Sequence, residues 1–129
     1  MSNMIRYQRL QTSQNLASGA LSYTTTFIGN VQIAQILFHS SATISQTITT
    51  TFVAREGTNY NATLDTTTLS SASNYVFRPS GGCILMDGDQ LTIACTNSGT
   101  PAAVIYCTII AEPYGSQPVA ASVANAQLT

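Results

Sequence analysis

Lysine and tryptophan are absent from this 129-residue chain, and histidine occurs once. Charged residues make up 7% of it, four arginines against five acids, where an ordinary soluble domain carries about 25%. Without lysine there is no Schiff-base chemistry, no lysine general base and no Walker-type phosphate loop. Arg6, Arg9, Arg55 and Arg78 are too few and too scattered to neutralise a phosphate backbone, which excludes nucleic acid as a partner. No apolar run approaches the roughly 18 residues that span a bilayer, and the longest, residues 102–111, is of strand length, so no membrane partner is expected. The opening Met1-Ser2-Asn3-Met4-Ile5-Arg6 lacks the apolar stretch of a signal peptide and predicts no export.

What the chain does have is 44% hydrophobic residues and a mass of 13.6 kDa, enough for one domain that buries roughly two-thirds of its unfolded surface. Disordered chains combine low hydrophobicity with high charge, the reverse of this composition. A protein that works alone surrounds itself with mixed charge for solubility. This one has almost none, which points to an assembly subunit, with a homo-oligomer, a trimer, as the expected state.

Cys83, Cys95 and Cys107 lie in apolar segments, twelve residues apart. An odd count without an export signal predicts reduced, buried thiols. Zinc requires closely paired ligands and a fourth donor, and His39 is the lone imidazole. His39 precedes Ser40-Ser41, but with no Gly-x-Ser-x-Gly elbow it reads as a polar residue at a strand end. Glu56, Asp65, Asp87, Asp89 and Glu112 supply carboxylates, and no pattern selects two of them as a glycosidase pair. Asp87 and Asp89 could touch Ca²⁺, yet Asp-Gly between two apolar runs is a strong hairpin signal. The expectation is no enzyme, no catalytic residue, no metal and no cofactor.

Ser and Thr together form about a quarter of the chain, with Thr runs at 24–26, 49–51 and 66–68. Threonine is β-branched and suits strands. Leu21, Tyr23, Thr25 and Phe27 alternate with polar residues, and after Gly29-Asn30 a second run spans Val31 to His39. In that run Val31 and Ile33 have one parity and Ile36 and Phe38 the other, which predicts a bulge near Ala34-Gln35 or burial of both faces. Ile44, Ile48 and Phe52 mark a third segment and Ala62-Leu64 opens a fourth. The remaining four cover Asn74–Arg78, Cys83–Met86, Gln90–Thr96 and Ala102–Ala111. Consecutive Thr residues alternate faces, which argues against a single ice-binding ladder. The reading is all-β, one jelly-roll-like sandwich of about eight antiparallel strands over residues 20–112, with extended arms at 1–19 and 113–129 that hold neighbouring subunits.

One resemblance adds to this. Phe52-Val53-Ala54-Arg55-Glu56-Gly57-Thr58-Asn59-Tyr60-Asn61-Ala62-Thr63-Leu64, Asn74-Tyr75-Val76-Phe77-Arg78-Pro79, Leu85-Met86-Asp87-Gly88-Asp89-Gln90-Leu91 and Thr96-Asn97-Ser98 together resemble small virion-associated proteins of tailed bacteriophages. The shared pattern is Gly-x-x-Tyr-x-x-x-Leu, an apolar strand ending near proline, a Gly-Asp turn and an Asn loop. It covers roughly half the chain, and Met86-Asp87 departs from the usual lead-in to the turn. The resemblance implies a structural role in the virion as a capsid decoration or cement protein, with the major capsid protein or other virion proteins as partners. The alternative is a phage neck or tail component, or a receptor- or carbohydrate-binding module using Tyr60, Tyr75, Asn59, Asn61 and Asn74.

Overall fold

The computed structural model describes residues 8–97 and 103–114. They form nine strands: β1 (Gln8–Asn15), β2 (Leu21–Thr26), β3 (Val31–Ile44), β4 (Thr47–Val53), β5 (Ala62–Thr68), β6 (Ala72–Phe77), β7 (Ile84–Leu85), β8 (Gln90–Cys95) and β9 (Val104–Pro113). One 3₁₀ turn, Thr58–Tyr60, lies between β4 and β5. The strands make two antiparallel sheets, β1-β9-β3-β6 with β7 also on β3, and β2-β8-β4-β5. Leaving β7 aside, the pairs nest around the β4–β5 connection: β4 with β5, β3 with β6, β2 with β8, β1 with β9. Successive pairs fall in alternate sheets. That is one long hairpin wound into a jelly roll.

Period-two alternation builds the core. Leu91, Ile93 and Cys95 of β8 point inward, as do Ile105, Cys107 and Ile109 of β9, Ile36 and Phe38 of β3, and Ile48 of β4. The parity change in β3 is met by a bulge, with the β3–β9 register shifting between Ile33 and Gln35. One extra residue at Ala34 returns Ile36 to the side of Ile33, so the expected bulge is present and both halves feed one core.

Several expectations shift. Residues 8–15 of the expected N-terminal arm form β1, an edge strand paired with β9 from Gln8↔Ala111 to Asn15↔Val104. Its inward positions include Gln8, Thr12 and Gln14, polar residues at a sheet edge, which hid the alternation. At the other end β9 runs to Pro113, and the Tyr114 N–H donates to Asn30 O at 3.0 Å. Residues 16–19 of the expected arm connect β1 to β2, with Leu16 buried in the core, and residues 1–7 and 115–129 lie outside the described residues. Ile44 closes β3 rather than opening the third strand.

The Asp-Gly turn is also not a hairpin. It carries the chain from β7, on β3, to β8, between β2 and β4 in the other sheet. Gly88 adopts φ 94°, which L side chains disfavour, and Asp89 N–H closes the turn onto Met86 O at 2.9 Å. The Asp89 carboxylate is only 3% exposed. Its Oδ2 accepts from Met86 N–H at 2.8 Å and its Oδ1 from Arg55 N–H at 3.0 Å. Gly88 N–H donates to Phe27 O, and Phe27 N–H to Asp89 O, both at 3.1 Å. The connections after β4 and β7 thus meet at one carboxylate, and the connection after β2 joins them through the main chain of Gly88 and Asp89.

Two of the three thiols, Cys95 and Cys107, are buried, and desolvation pushes them up to about 11 and about 12. Cys83 is half-buried, contrary to the expectation of full burial, because it sits at the open end of the sandwich in the β6–β7 connection. Thr50 Oγ1 is buried with no hydrogen-bond partner among the described residues.

Asp89→Ala strands two part-buried N–H donors and is expected to cost about 2–4 kcal/mol in chemical unfolding. Thr50→Val removes a hydroxyl already desolvated without a partner, so it is expected to stabilise by about 1 kcal/mol. A Thr50→Val protein less stable than wild type would contradict the packing described. For the thiols, the raised folded values favour the protonated form, so their contribution is complete below the ordinary value of 9.0 and lost as pH climbs toward about 12. Urea midpoints measured between pH 8 and 11 are expected to fall, and to fall less steeply in Cys107→Ala.

Candidate functional site

Each sheet has an outer face, and the strand registers place every side chain on it. In the β2-β8-β4-β5 sheet, inward Ile93 and Cys95 leave the opposite parity facing out. One row across all four strands is Thr24↔Thr92↔Thr51↔Thr63, and the next is Ser22↔Ala94↔Thr49↔Thr66. Thr47 and Thr68, and Thr26, Gln90 and Val53, extend the face on either side. Not one of these residues is charged. Neighbouring hydroxyls satisfy each other, with Thr24 and Thr92 sharing a 2.9 Å hydrogen bond and Thr47 and Thr68 another of 2.9 Å, while Gln90 Nε2 donates to Thr26 Oγ1 at 2.8 Å.

Contrary to the expectation from sequence, the threonine runs do share one surface. Consecutive threonines do alternate faces, but the outward half of each run gives Thr24-x-Thr26, Thr49-x-Thr51 and Thr66-x-Thr68 on the same surface. The strand register, invisible in single segments, brings the three runs together.

The other outer face, on β1-β9-β3-β6, has an apolar centre. Leu37 opposes Val76 on one side and Thr108 on the other, with Ile110 and Tyr106 along β9. Val76 is 38% and Tyr106 48% exposed. Arg9, opposite Ile110, and Glu112, opposite Gln32, lie on this face near its margin. His39 sits within β3 rather than at a strand end, faces outward, stacks on Tyr106 with centroids 6.3 Å apart, and its Nδ1 is 2.9 Å from Asn74 Oδ1. No nucleophile is described against it.

The carboxylates are dispersed. Glu56 pairs with Arg55 at 3.1 Å on the surface. Asp87 Oδ1 accepts from Gly29 N–H at 2.7 Å, and Arg55 Nη1 donates to Asp87 O at 2.6 Å. With Asp89 occupied as above, the pair caps main-chain donors. Among the described residues no group of three or more His, Cys, Asp or Glu side chains is placed to hold a metal ion. Asp65 accepts from Tyr75 OH at 2.6 Å, with the Thr67 hydroxyl 2.9 Å from the phenol. Burial first, then the bond to Asp65, raises the Tyr75 pKa. This cluster links β6 of one sheet to β5 of the other.

It also divides the proposed glycan platform. Tyr75 stacks on Phe38 inside the sandwich, 5.9 Å between centroids, whereas Tyr60 stands 68% exposed in the 3₁₀ turn. Asn61 Oδ1 accepts from Ala54 N–H at 2.9 Å, a structural bond. Asn74 lies on the outer face of the opposite sheet beside His39.

Fold and surfaces define an antiparallel jelly-roll domain whose one outer face is free of charge. No family model and no curated protein matches the chain. Solved structures of similar architecture include the Drosophila NLP core, described for pentamer formation and histone binding, at 9% identity and a TM-score of 0.45 over 80% of this chain and 96% of that one. Infectious bursal disease virus strain Gx gives 12% identity and a TM-score of 0.49 over 89% of this chain and 33% of that one. The VP2 subviral particle of the same virus gives 14% and 0.35, over 90% and 39%. The chain spans about a third of the length of the viral chains it matches. Virus particle proteins are thus among the solved structures that share this architecture.

The uncharged face yields a prediction. Thr51→Lys, at its centre, is expected to leave unfolding free energy within about 0.5 kcal/mol, as surface changes do. Any contact that copies of the chain make through this face should weaken about tenfold or more in sedimentation, since a lysine in a neutral contact is desolvated without a partner.

Proposed function

We propose that this chain is a non-enzymatic structural protein of a virus particle, a capsid decoration or cement protein of the tailed-bacteriophage kind, located in the virion. Its partners are copies of itself, as a trimer, and the major capsid protein. The observation that carries this reading is the four-stranded outer face of Ser, Thr, Ala, Gln and Val without a single charge. Interface cores are depleted in charged residues, and neutral hydroxyls and amides mate across a contact without the desolvation penalty of buried ions. A monomer needs the opposite surface, about 25–35% charged. The resemblance of residues 48–114 to phage virion proteins supports the same reading, and a capsid lattice provides local threefold positions for a threefold subunit.

The test has two arms. Light scattering of the purified full chain is expected to give a closed trimer at micromolar concentration. Mass spectrometry of virus particles purified from the source of the gene is expected to find the chain in fixed stoichiometry with the major capsid protein. A chain that is absent from particles and monomeric in solution overturns the proposal.

A further inference from the structure

β1 is an edge strand, paired with β9 on one side and with no strand among the described residues on the other. Which of its main-chain groups face outward follows from a contact just past its end. Leu16 N–H donates to Ala103 O at 2.8 Å, which continues the β1–β9 register. Hydrogen-bonded pairs alternate along an antiparallel ladder, so the even residues Gln8, Leu10, Thr12 and Gln14 bond to β9. The odd residues Arg9, Gln11 and Ser13 therefore turn their N–H and C=O groups away from it. Asn15 O is already taken by Ser18 N–H at 3.0 Å, which closes that end of the row.

A row of unpaired main-chain groups is a template for another strand, and proteins guard such edges with bulges, proline, lysine or short length. β1 has none of these guards. Its eight residues pair with β9 without a register shift, whereas the β4–β5 ladder shifts between Thr50 and Thr51 and the β3–β6 ladder between His39 and Ile44. Arg9 is the single charge of β1, and β2, which borders the same flank in the other sheet, carries none.

The free positions are complementary to themselves. With Gln11 opposite Gln11 of a second copy in the antiparallel sense, Arg9 of each copy faces Ser13 of the other. Every outward N–H and C=O of the three residues then has its mate, and the two arginines are not opposed. We propose that β1 pairs in this way with β1 of a second copy, across a two-fold axis at Gln11, joining the β1-β9-β3-β6 sheets of both copies edge to edge. So short a contact belongs with interfaces under about 1,200 Å² and forms where copies are concentrated rather than in dilute solution. It is independent of the particle reading and of threefold packing, since it doubles whichever species is present.

The test uses the full chain carrying Cys83→Ser, which leaves only the two buried native thiols. Directly opposed residues of such a pair have Cα atoms about 5.5 Å apart, within reach of a disulfide. Under copper phenanthroline, Gln11→Cys is expected to link into dimers about tenfold faster than Arg9→Cys or Ser13→Cys alone, while Arg9→Cys mixed with Ser13→Cys links as fast as Gln11→Cys. Gln11→Pro deletes an outward N–H and spares the bonds to β9, so it is expected to keep the wild-type unfolding midpoint and lose the doubling of mass that sedimentation shows as concentration rises. Equal linking rates at the three positions, or a folded Gln11→Pro protein that pairs like wild type, overturns the proposal. So does hydrogen exchange showing the Arg9, Gln11 and Ser13 amides equally protected at every dilution, since another segment of the same chain then covers the edge.

Discussion

The buried carboxylate of Asp89 is the contact on which the winding of this chain depends. A jelly roll requires the chain to leave one sheet and enter the other repeatedly, and each crossing exposes main-chain donors that no ladder satisfies. Here the connections after β2, β4 and β7 converge, and the Asp89 carboxylate takes the N–H groups of Met86 and Arg55 while Phe27 exchanges main-chain bonds with Gly88 and Asp89. The Asp89 side chain and the main chain beside it therefore hold three connections together. The Tyr75–Asp65–Thr67 cluster performs a related task at the β5/β6 edge, joining the two sheets where the core thins out.

Scarcity of charge has opposite consequences inside and outside. Inside, it leaves Asp89 and Asp65 as carboxylates that accept structural hydrogen bonds. Outside, it gives two faces of different kinds. The threonine face satisfies much of its own hydrogen bonding, so it can be covered by another surface at small cost in desolvation. The β1-β9-β3-β6 face instead carries Leu37, Val76, Tyr106 and Ile110, with polar groups around them. β9 is consequently apolar on both sides from Val104 to Ala111, Thr108 excepted.

The strand content, the turns and the bulge were legible from residue order because each is a local property. Period two is set by the pleat, Gly and Asn admit left-handed turns, and the parity break between Ile33 and Ile36 can be repaired only by an odd residue. β1 was not legible, because an edge strand can place Gln and Thr on its inner side and pair through its backbone alone. The turn at Asp87–Asp89 looked like a hairpin because Asp-Gly determines the reversal of the chain, not the identity of the strand it joins.

By itself the sequence determined an all-β domain, its poverty of charge, and the absence of lysine chemistry, all of which follow from composition and short-range stereochemistry. Only the tertiary structure decided that three separate threonine runs would share one surface, that Tyr75 would turn inward to Asp65, and that Phe52, Leu64, Phe77 and Cys83 would border one cavity. These depend on register between strands far apart in the chain. A shift of one residue in any pairing exchanges the inner and outer faces of the whole strand, and no local preference specifies that choice.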